Sequence, residues 1–158
     1  MKIYLAARYS RRLELCGYRD QLRAIGHTVE AVWLNGEHQI SDTGTPIGEH
    51  GEALVEAMGI AGREAFYGNA DKRAAELRRK FAHDDYDDVR GCDLCISFTE
   101  PPRSDGRGRG GRHVEFGIAL ALGKLVWIVG PRENIFHWLP RVSHFEIWPD
   151  ALAALEAK

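Results

Sequence analysis

The chain has 158 residues, of which 44% are hydrophobic and 28% charged, as expected for one globular domain, 1–158, with a buried core. Its formal net charge of -2 provides no overall attraction to a nucleic acid polymer or to an anionic membrane. The sequence contains neither a leader-like segment nor an apolar run of membrane-spanning length, so we expect a cytoplasmic protein with neither kind of partner.

The first half of the chain alternates strand and helix signals. A short apolar run predicts a strand, and the next segment carries apolar residues at helical spacing until Gly26 ends it. An alternating segment then predicts a second strand, followed by a long polar loop and a helical stretch that is interrupted near 59–62 or 68–69. In chain order these segments are 3–7, 10–25, 27–34, 35–51 and 52–90.

The second half continues the alternation. A buried strand is followed by a loop rich in glycine and arginine, and a helix then ends at the C-capping Gly123. Another buried strand, a short turn, a last strand and a closing helix complete the chain. The predicted segments are 93–98, 99–112, 113–123, 124–130, 134–139, 144–148 and 150–157.

The three cysteines do not suggest a disulfide framework. Cys92 and Cys95 form a Cys-x-x-Cys pair, but they lie at and within a predicted strand, whereas redox pairs of this spacing usually open a helix. We therefore expect buried thiols. The seven histidines show no spacing typical of a zinc site, and we expect no metal and no cofactor.

The alternation of apolar strands with helices predicts an α/β fold. We expect a small doubly wound domain, flavodoxin-like or Rossmann-like, with a parallel five-stranded sheet and helices on both faces. Ligands of such folds bind outside the carboxyl ends of the strands. The loops after Ala7, Leu34, Phe98 and Gly130 are therefore predicted to line one crevice.

Acidic and hydroxyl side chains are predicted near that crevice. Glu115 falls in what we expect to be the first turn of an apolar helix, Asp84 and Asp85 lie at the end of the helix before the third strand, and Tyr4 lies in the first strand. Paired carboxylates in one cleft are the equipment of glycosyl transfer. Structural explanations also exist, namely a helix-dipole acid for Glu115, a solvated acidic run for Asp85 and a core aromatic for Tyr4.

The loop at 99–112 has two interpretations. Backbone amides of glycine-rich turns before a helix form an anion-binding nest, and arginines add bidentate contacts to phosphate. Arg8, after the first strand, supplies a further cation. The alternative is a flexible solvated loop. The segment matches neither the dinucleotide fingerprint nor the P-loop, because no Gly-Lys-Ser/Thr follows.

Three segments together resemble the nucleoside 2-deoxyribosyltransferase superfamily, which includes the deoxynucleoside and hydroxymethylcytidine 5'-monophosphate N-glycosidases. They are 2–7, Asp85 with 92–96, and the Gly-Arg-His-Val-Glu-Phe-Gly motif at 111–117. The resemblance implies cleavage or transfer of an N-glycosidic bond by a retaining mechanism. It implies Glu115 as the nucleophile, Asp85 as the acid that contacts the nucleobase, and Tyr4 as the residue that orients Glu115.

The resemblance also implies a homo-oligomer, a dimer or larger, and the residues around the crevice indicate a substrate-binding set. The set comprises Arg8, Asp105, Arg109, Gly111, Arg112 and His113. Where the transferases place a sugar-holding aspartate six positions before the nucleophile, this chain has Arg109, with Asp105 the nearest acid. An arginine-rich loop at that place suits a 5'-phosphate.

Three functions remain open from the sequence, each acting on a small nucleoside or nucleotide. We favour a nucleoside 2-deoxyribosyltransferase. The first alternative is a nucleoside 5'-monophosphate N-glycosidase, which hydrolyses the same bond. The second is a nucleotide-binding or sensing domain without catalysis.

Overall fold

The computed structural model describes residues 1–36, 38, 72–101 and 110–157. Most of the predicted loop at 35–51 and the first part of the predicted helical stretch, 52–71, lie outside the described residues. So does most of the arginine-rich loop, including two of the predicted substrate-binding residues, Asp105 and Arg109.

The described residues form a five-stranded sheet with the order β2-β1-β3-β4-β5, and every neighbouring pair is parallel. This is the flavodoxin-like strand order, so the predicted fold class is confirmed. No helix in these segments has the length and apolarity to cross a membrane. The strands are β1 Lys2–Ala6, β2 Thr28–Val29, β3 Leu94–Phe98, β4 Leu125–Val129 and β5 Val142–Phe145. The α-helices are α1 Arg12–Ala24, α2 Lys72–Gly91, α3 Gly111–Ala121 and α4 Trp148–Glu156.

Helices cover both faces of the sheet, as predicted. On one face, Tyr18 of α1 stacks on Trp148 of α4 at 4.6 Å between ring centroids and on Phe98 of β3 at 5.4 Å. On the other face, α2 packs against α3, and α3 contacts β1, β3 and β4. Tyr4 and Cys95 are paired in neighbouring strands, so their side chains share one face of the sheet. Side chains alternate between faces along a strand, so Phe98, three residues after Cys95, lies on the opposite face.

The strand predicted at 27–34 is wrong beyond its first residues. Only Thr28–Val29 pairs with β1, and Val32–Asn35 forms a 3-10 helix. Two contacts from distant parts of the chain explain the difference. The carboxylate of Asp88 accepts the backbone N–H of Val32 at 2.7 Å, and the buried indole of Trp33 donates to the carbonyl of Leu5 at 2.9 Å. The backbone at Val32 is therefore held by a side chain of α2 instead of a neighbouring strand.

The last strand also differs from the prediction. It spans Val142–Phe145 instead of 144–148, and the buried Trp148 opens α4. The reason lies in Pro149, which occupies the first turn of α4 and has no N–H to donate to a sheet.

The predicted burial of Cys92 and Cys95 is confirmed, and both thiols are free. Both side chains belong to the main core cluster, which is dominated by residues of β1, β3 and β4. Burial raises the pKa of the Cys92 thiol to about 11, and it raises the pKa of Cys95 well above the usual value. Thiols that remain protonated at neutral pH are poor nucleophiles, which agrees with a packing role.

Among the glycines that the structure describes, Gly130, which directly follows β4, is expected to be the most sensitive to substitution. Its φ is +108°, and a Cβ there would lie 2.7 Å from Thr99 Oγ1 and 2.8 Å from the Thr99 carbonyl oxygen. We expect Gly130→Ala to lower the free energy of unfolding by about 2 to 4 kcal/mol, because strain and overlap add. Gly17→Ala is the matched control. Gly17 lies within α1, and a Cβ added there would meet no atom within 4 Å. The free energy of unfolding of that variant is therefore expected to rise by up to about 1 kcal/mol. Urea unfolding measures both, and equal midpoints would contradict the expectation.

Candidate active site

Glu115 lies in the second turn of α3, not in the first as predicted. The helix begins at Gly111, so that Glu115 is its fifth residue, and its first turn contains no acidic side chain. The stabilisation of acids by the helix dipole falls off within the first turn. The dipole explanation for Glu115 therefore does not apply, and its contacts with the sheet become the relevant ones.

The hydroxyl of Tyr4 donates a hydrogen bond to Glu115 Oε1 at 2.8 Å. Tyr4 is the middle residue of β1, and its side chain is completely buried. Its rigid position fixes the direction of the Glu115 carboxylate. Burial raises the pKa of Glu115 to about 7, although the hydrogen bond from Tyr4 and the charge of Arg112 oppose that rise. Burial and the neighbouring Glu115 raise the pKa of Tyr4 well above its usual value, so Tyr4 acts as a hydrogen-bond donor.

Asp85, on α2, is the third member of this group. Burial, followed by the charges of Asp88 and Asp84, raises its pKa to about 7. Asp85 is close enough to the other two side chains that its charge raises the pKa of both Glu115 and Tyr4. The structure therefore brings the three predicted catalytic residues together, although they come from three separate elements.

The neighbouring acids differ from Asp85 in their contacts. Asp84 pairs with Lys80 at 2.5 Å, Asp87 pairs with the exposed Arg90 at 3.1 Å, and Asp88 binds the backbone N–H of Val32. Those contacts fit the structural explanation for an acidic run, whereas the charge of Asp85 acts on Tyr4 and Glu115.

His38 contacts Asp85 and was missed by the sequence analysis. Its Nε2 lies 3.4 Å from Asp85 Oδ1, its side chain is only 7% exposed, and its ring packs on Phe81 at 4.4 Å. No local pattern signals this contact, because His38 precedes α2 by a long stretch of sequence.

Arg8 lies at the switch in strand order, between β1 and β3. Its Nη1 donates to Glu100 Oε2 at 3.1 Å, which joins the loops that follow these two strands. Ligands of doubly wound sheets bind at this point. The position of Arg8 thus agrees with the predicted crevice, but its guanidinium is paired with a carboxylate of the protein.

Arg112 is also paired, with Glu133 from the segment after β4. Arg112 Nη2 donates to Glu133 Oε1 at 2.6 Å, and Nε donates to Oε2 at 3.3 Å. Glu133 Oε1 also accepts the backbone N–H of Glu100 at 3.0 Å, while the Glu133 N–H donates to Nδ1 of the buried His137 at 3.2 Å. Glu133 therefore links the loops after β3 and β4 to the start of α3, and it was missed by the sequence analysis.

Two further predicted binding residues lie at the same helix start. His113 Nε2 lies 3.4 Å from Glu133 Oε2, and burial together with the charge of Arg112 lowers the pKa of His113. Gly111 is the exposed first residue of α3. Both lie beside the Arg112–Glu133 pair.

Two carboxyl groups with raised pKa values in one site have a chemical consequence. The pKa of each carboxyl group is raised to about 7, and the charge of Asp85 contributes to the rise at Glu115. Near neutral pH such a site can hold a carboxylate beside a carboxylic acid, which is the combination that a nucleophile and a proton donor require.

Tyr4→Phe tests the role of the hydrogen bond to Glu115. Without this bond the pKa of Glu115 rises further, so fewer molecules carry the ionised carboxylate at pH 7. We expect the rate of any reaction that depends on ionised Glu115 to fall about tenfold at pH 7. The ratio of variant to wild-type rate should rise toward one as the pH increases.

The matched control is Tyr86→Phe, which removes a hydroxyl from an exposed side chain of α2. Its rate and pH profile should follow the wild type. A pH-independent loss in Tyr4→Phe would mean that the hydroxyl does not act through the ionisation of Glu115.

Comparison with known proteins supports the fold. No family model and no curated protein matches the chain. Among solved structures, a 2-deoxyribosyltransferase from the psychrotolerant bacterium Bacillus psychrosaccharolyticus is similar with a TM-score of 0.58 and 20% identity, over 96% of this chain and 90% of that one. The CMP N-glycosidase BcmB of Clostridium botulinum has a TM-score of 0.47 and 19% identity, over 99% of both chains. The chain therefore shares its fold with that 2-deoxyribosyltransferase structure.

Proposed function

We propose that the protein cleaves or transfers the N-glycosidic bond of a nucleoside by a retaining mechanism with Glu115 as the nucleophile. The observation that carries the proposal is the arrangement of three side chains. Tyr4 donates to Glu115 at 2.8 Å, and Asp85 lies within electrostatic reach of both. Retaining glycosidases use two such carboxyl groups, one that attacks carbon and one that manages the proton of the leaving group.

Each residue has a defined part in the proposed reaction. A carboxylate oxygen of Glu115 attacks the anomeric carbon as the bond to the nucleobase breaks. The electron pair of that bond goes to the base, which takes the proton of Asp85. A second base then attacks the same carbon and transfers its proton to Asp85, and the ester to Glu115 breaks. Water in place of the second base gives hydrolysis.

The charges near the crevice favour a nucleoside over a nucleotide. Arg8 pairs with Glu100, and Arg112 pairs with Glu133, so each cation is balanced by one carboxylate. A dianionic phosphate is bound best by arginines that form bidentate contacts with it. Arg8 and Arg112, the predicted binding arginines that the structure describes, therefore leave little uncompensated positive charge for a phosphate. This supports the transferase, a nucleoside 2-deoxyribosyltransferase, as the leading function.

The alternative substrate is a nucleoside 5'-monophosphate. The observation in its favour is the sequence of the loop before α3, which carries Arg103, Arg107 and Arg109. A phosphate at that loop would make the protein a monophosphate N-glycosidase, which releases free base without an acceptor base.

One assay distinguishes the functions. The protein is incubated with deoxyinosine and free adenine, and separately with a panel of nucleoside monophosphates. Deoxyadenosine in the first reaction indicates transfer, whereas free base from monophosphates alone indicates the N-glycosidase. Saturable nucleotide binding with no product in either reaction would contradict an enzyme and indicate a binding domain.

A further inference from the structure

The guanidinium of Arg112 keeps one nitrogen without an acceptor. Its side chain is 7% exposed, and Nε and Nη2 are both engaged by Glu133. Nη1 is buried and donates to no acceptor among residues 1–36, 38, 72–101 and 110–157. A buried donor without a partner is energetically unfavourable, and more so when it is charged. Such a group in a functional site is typical of one that a ligand completes.

Glu133 fixes the orientation of this nitrogen. Its two oxygens hold two nitrogens of Arg112 in a fork, and the Glu100 N–H adds a third contact to the same carboxylate. On the backbone side, the N–H of Glu133 is bound by the buried ring of His137. A guanidinium held in a planar fork has little rotational freedom, so the direction of Nη1 is set by Glu133.

The position of Arg112 relative to the proposed nucleophile identifies the part of the substrate that it reaches. Arg112 precedes Glu115 by three residues on α3, so the two side chains lie on the same side of the helix. The charge of Arg112 lowers the pKa of Glu115, which shows that the two groups interact. Because Glu115 must approach the anomeric carbon, a donor beside it lies near the sugar ring.

The charge balance indicates the kind of acceptor. Arg112 carries one positive charge, and Glu133, which is 12% exposed, carries the matching negative charge. A buried pair of this kind has little net field to attract an anion, but it retains a strong hydrogen-bond donor. A neutral oxygen acceptor therefore suits Nη1 better than a phosphate does.

We propose that Arg112, oriented by Glu133, donates a hydrogen bond from Nη1 to a hydroxyl of the substrate sugar. This proposal rests on the proposed function and names a specificity determinant of the same site. Arg112 is the residue that touches the substrate, and Glu133 is a positioning residue that acts through Arg112. The 2'-hydroxyl and the 3'-hydroxyl share this chemistry, and the test separates them.

The test is a cycle that combines protein variants with substrates lacking single hydroxyls. Among the deoxynucleosides of adenine, guanine, cytosine, thymine and hypoxanthine, the one that the wild type uses fastest is selected. Its kcat/KM is compared with those of its ribonucleoside and its 2',3'-dideoxy counterparts. The same ratios are then measured for Glu133→Gln and for the double variant Arg112→Met with Glu133→Gln, which leaves no unpaired buried charge.

For the wild type we expect loss of the contacted hydroxyl to lower kcat/KM about 10-fold to 100-fold. In the double variant that ratio should approach one, and Glu133→Gln should give an intermediate ratio. Collapse of the deoxy-to-dideoxy ratio assigns the 3'-hydroxyl, and collapse of the ribo-to-deoxy ratio assigns the 2'-hydroxyl. Thermal unfolding of each variant shows whether it is folded, but a purely structural role would not change the ratios.

The matched control is Arg90→Met, which breaks an exposed arginine–carboxylate pair with Asp87 on α2. Its ratios should equal those of the wild type. Turnover with the same hydroxyl ratios in wild type and double variant would overturn the inference and leave the proposed function intact. Absence of turnover by the wild type on every nucleoside would overturn both.

Discussion

Replacement of Glu115 by glutamine is expected to lower kcat for glycosyl transfer at least about a thousandfold. The amide oxygen still accepts the hydrogen bond from Tyr4, so the packing at the start of α3 is preserved. A neutral amide is a poor nucleophile and cannot form the glycosyl ester. The loss should therefore appear in kcat and kcat/KM together, while the free energy of unfolding changes little.

Glu146→Gln is the matched control, because it makes the same chemical change at an exposed carboxylate beyond β5. Its rates should equal those of the wild type. Mass spectrometry of rapidly quenched wild-type protein should detect a glycosyl adduct that is absent from Glu115→Gln. A folded Glu115→Gln protein with wild-type rates on every substrate would show that another group attacks the sugar.

The elements that the sequence predicted well are those with long uninterrupted patterns. The apolar runs of β1, β3 and β4 gave strands close to the observed bounds, since each is buried on both faces of the sheet. The second strand was overextended because its alternation does not reveal that Asp88 captures the N–H of Val32. A side chain from a distant helix decided that local structure, and no pattern within the segment contains this information.

The residues of the candidate site also differ in how clearly the sequence indicates them. Tyr4, Asp85 and Glu115, the residues that the family resemblance indicated, lie near one another in the structure. Glu133 follows a strand and resembles an ordinary surface acid in the sequence, yet it holds Arg112 through two hydrogen bonds. The position of Glu115 within its helix was also wrong by two residues, because glycines at 110 and 111 weaken the signal for the helix start.

Replacement of Asp85 by asparagine is expected to slow release of ordinary nucleobases about a hundredfold to ten-thousandfold. An asparagine cannot donate the proton that a departing base requires. 7-Methyl-2'-deoxyguanosine provides the contrast, because its base leaves as a neutral molecule without protonation. For that substrate Asp85→Asn should retain a rate close to that of the wild type, whereas 2'-deoxyguanosine should show the full loss.

The pH profile of the rate tests independently the protonation states in which Asp85 and Glu115 act. Asp85 acts in its protonated form, so the wild-type rate on 2'-deoxyguanosine should decline as the pH rises above the Asp85 pKa of about 7. Glu115 acts in its ionised form, so the rate should also decline below its pKa of about 7. Asp85→Asn should remove the alkaline decline. It should also move the acidic decline to lower pH, because the charge of Asp85 raises the pKa of Glu115.

Asp87→Asn is the matched control for this variant, since it lies two residues further along α2 and pairs only with an exposed arginine among its described contacts. It should keep both limbs of the profile and both rates. Equal losses on 2'-deoxyguanosine and on the 7-methyl substrate in Asp85→Asn would mean that Asp85 binds the base without delivering a proton. The comparison of the two leaving groups thus separates proton donation from base recognition. The position of Asp85 in the structure is compatible with either role.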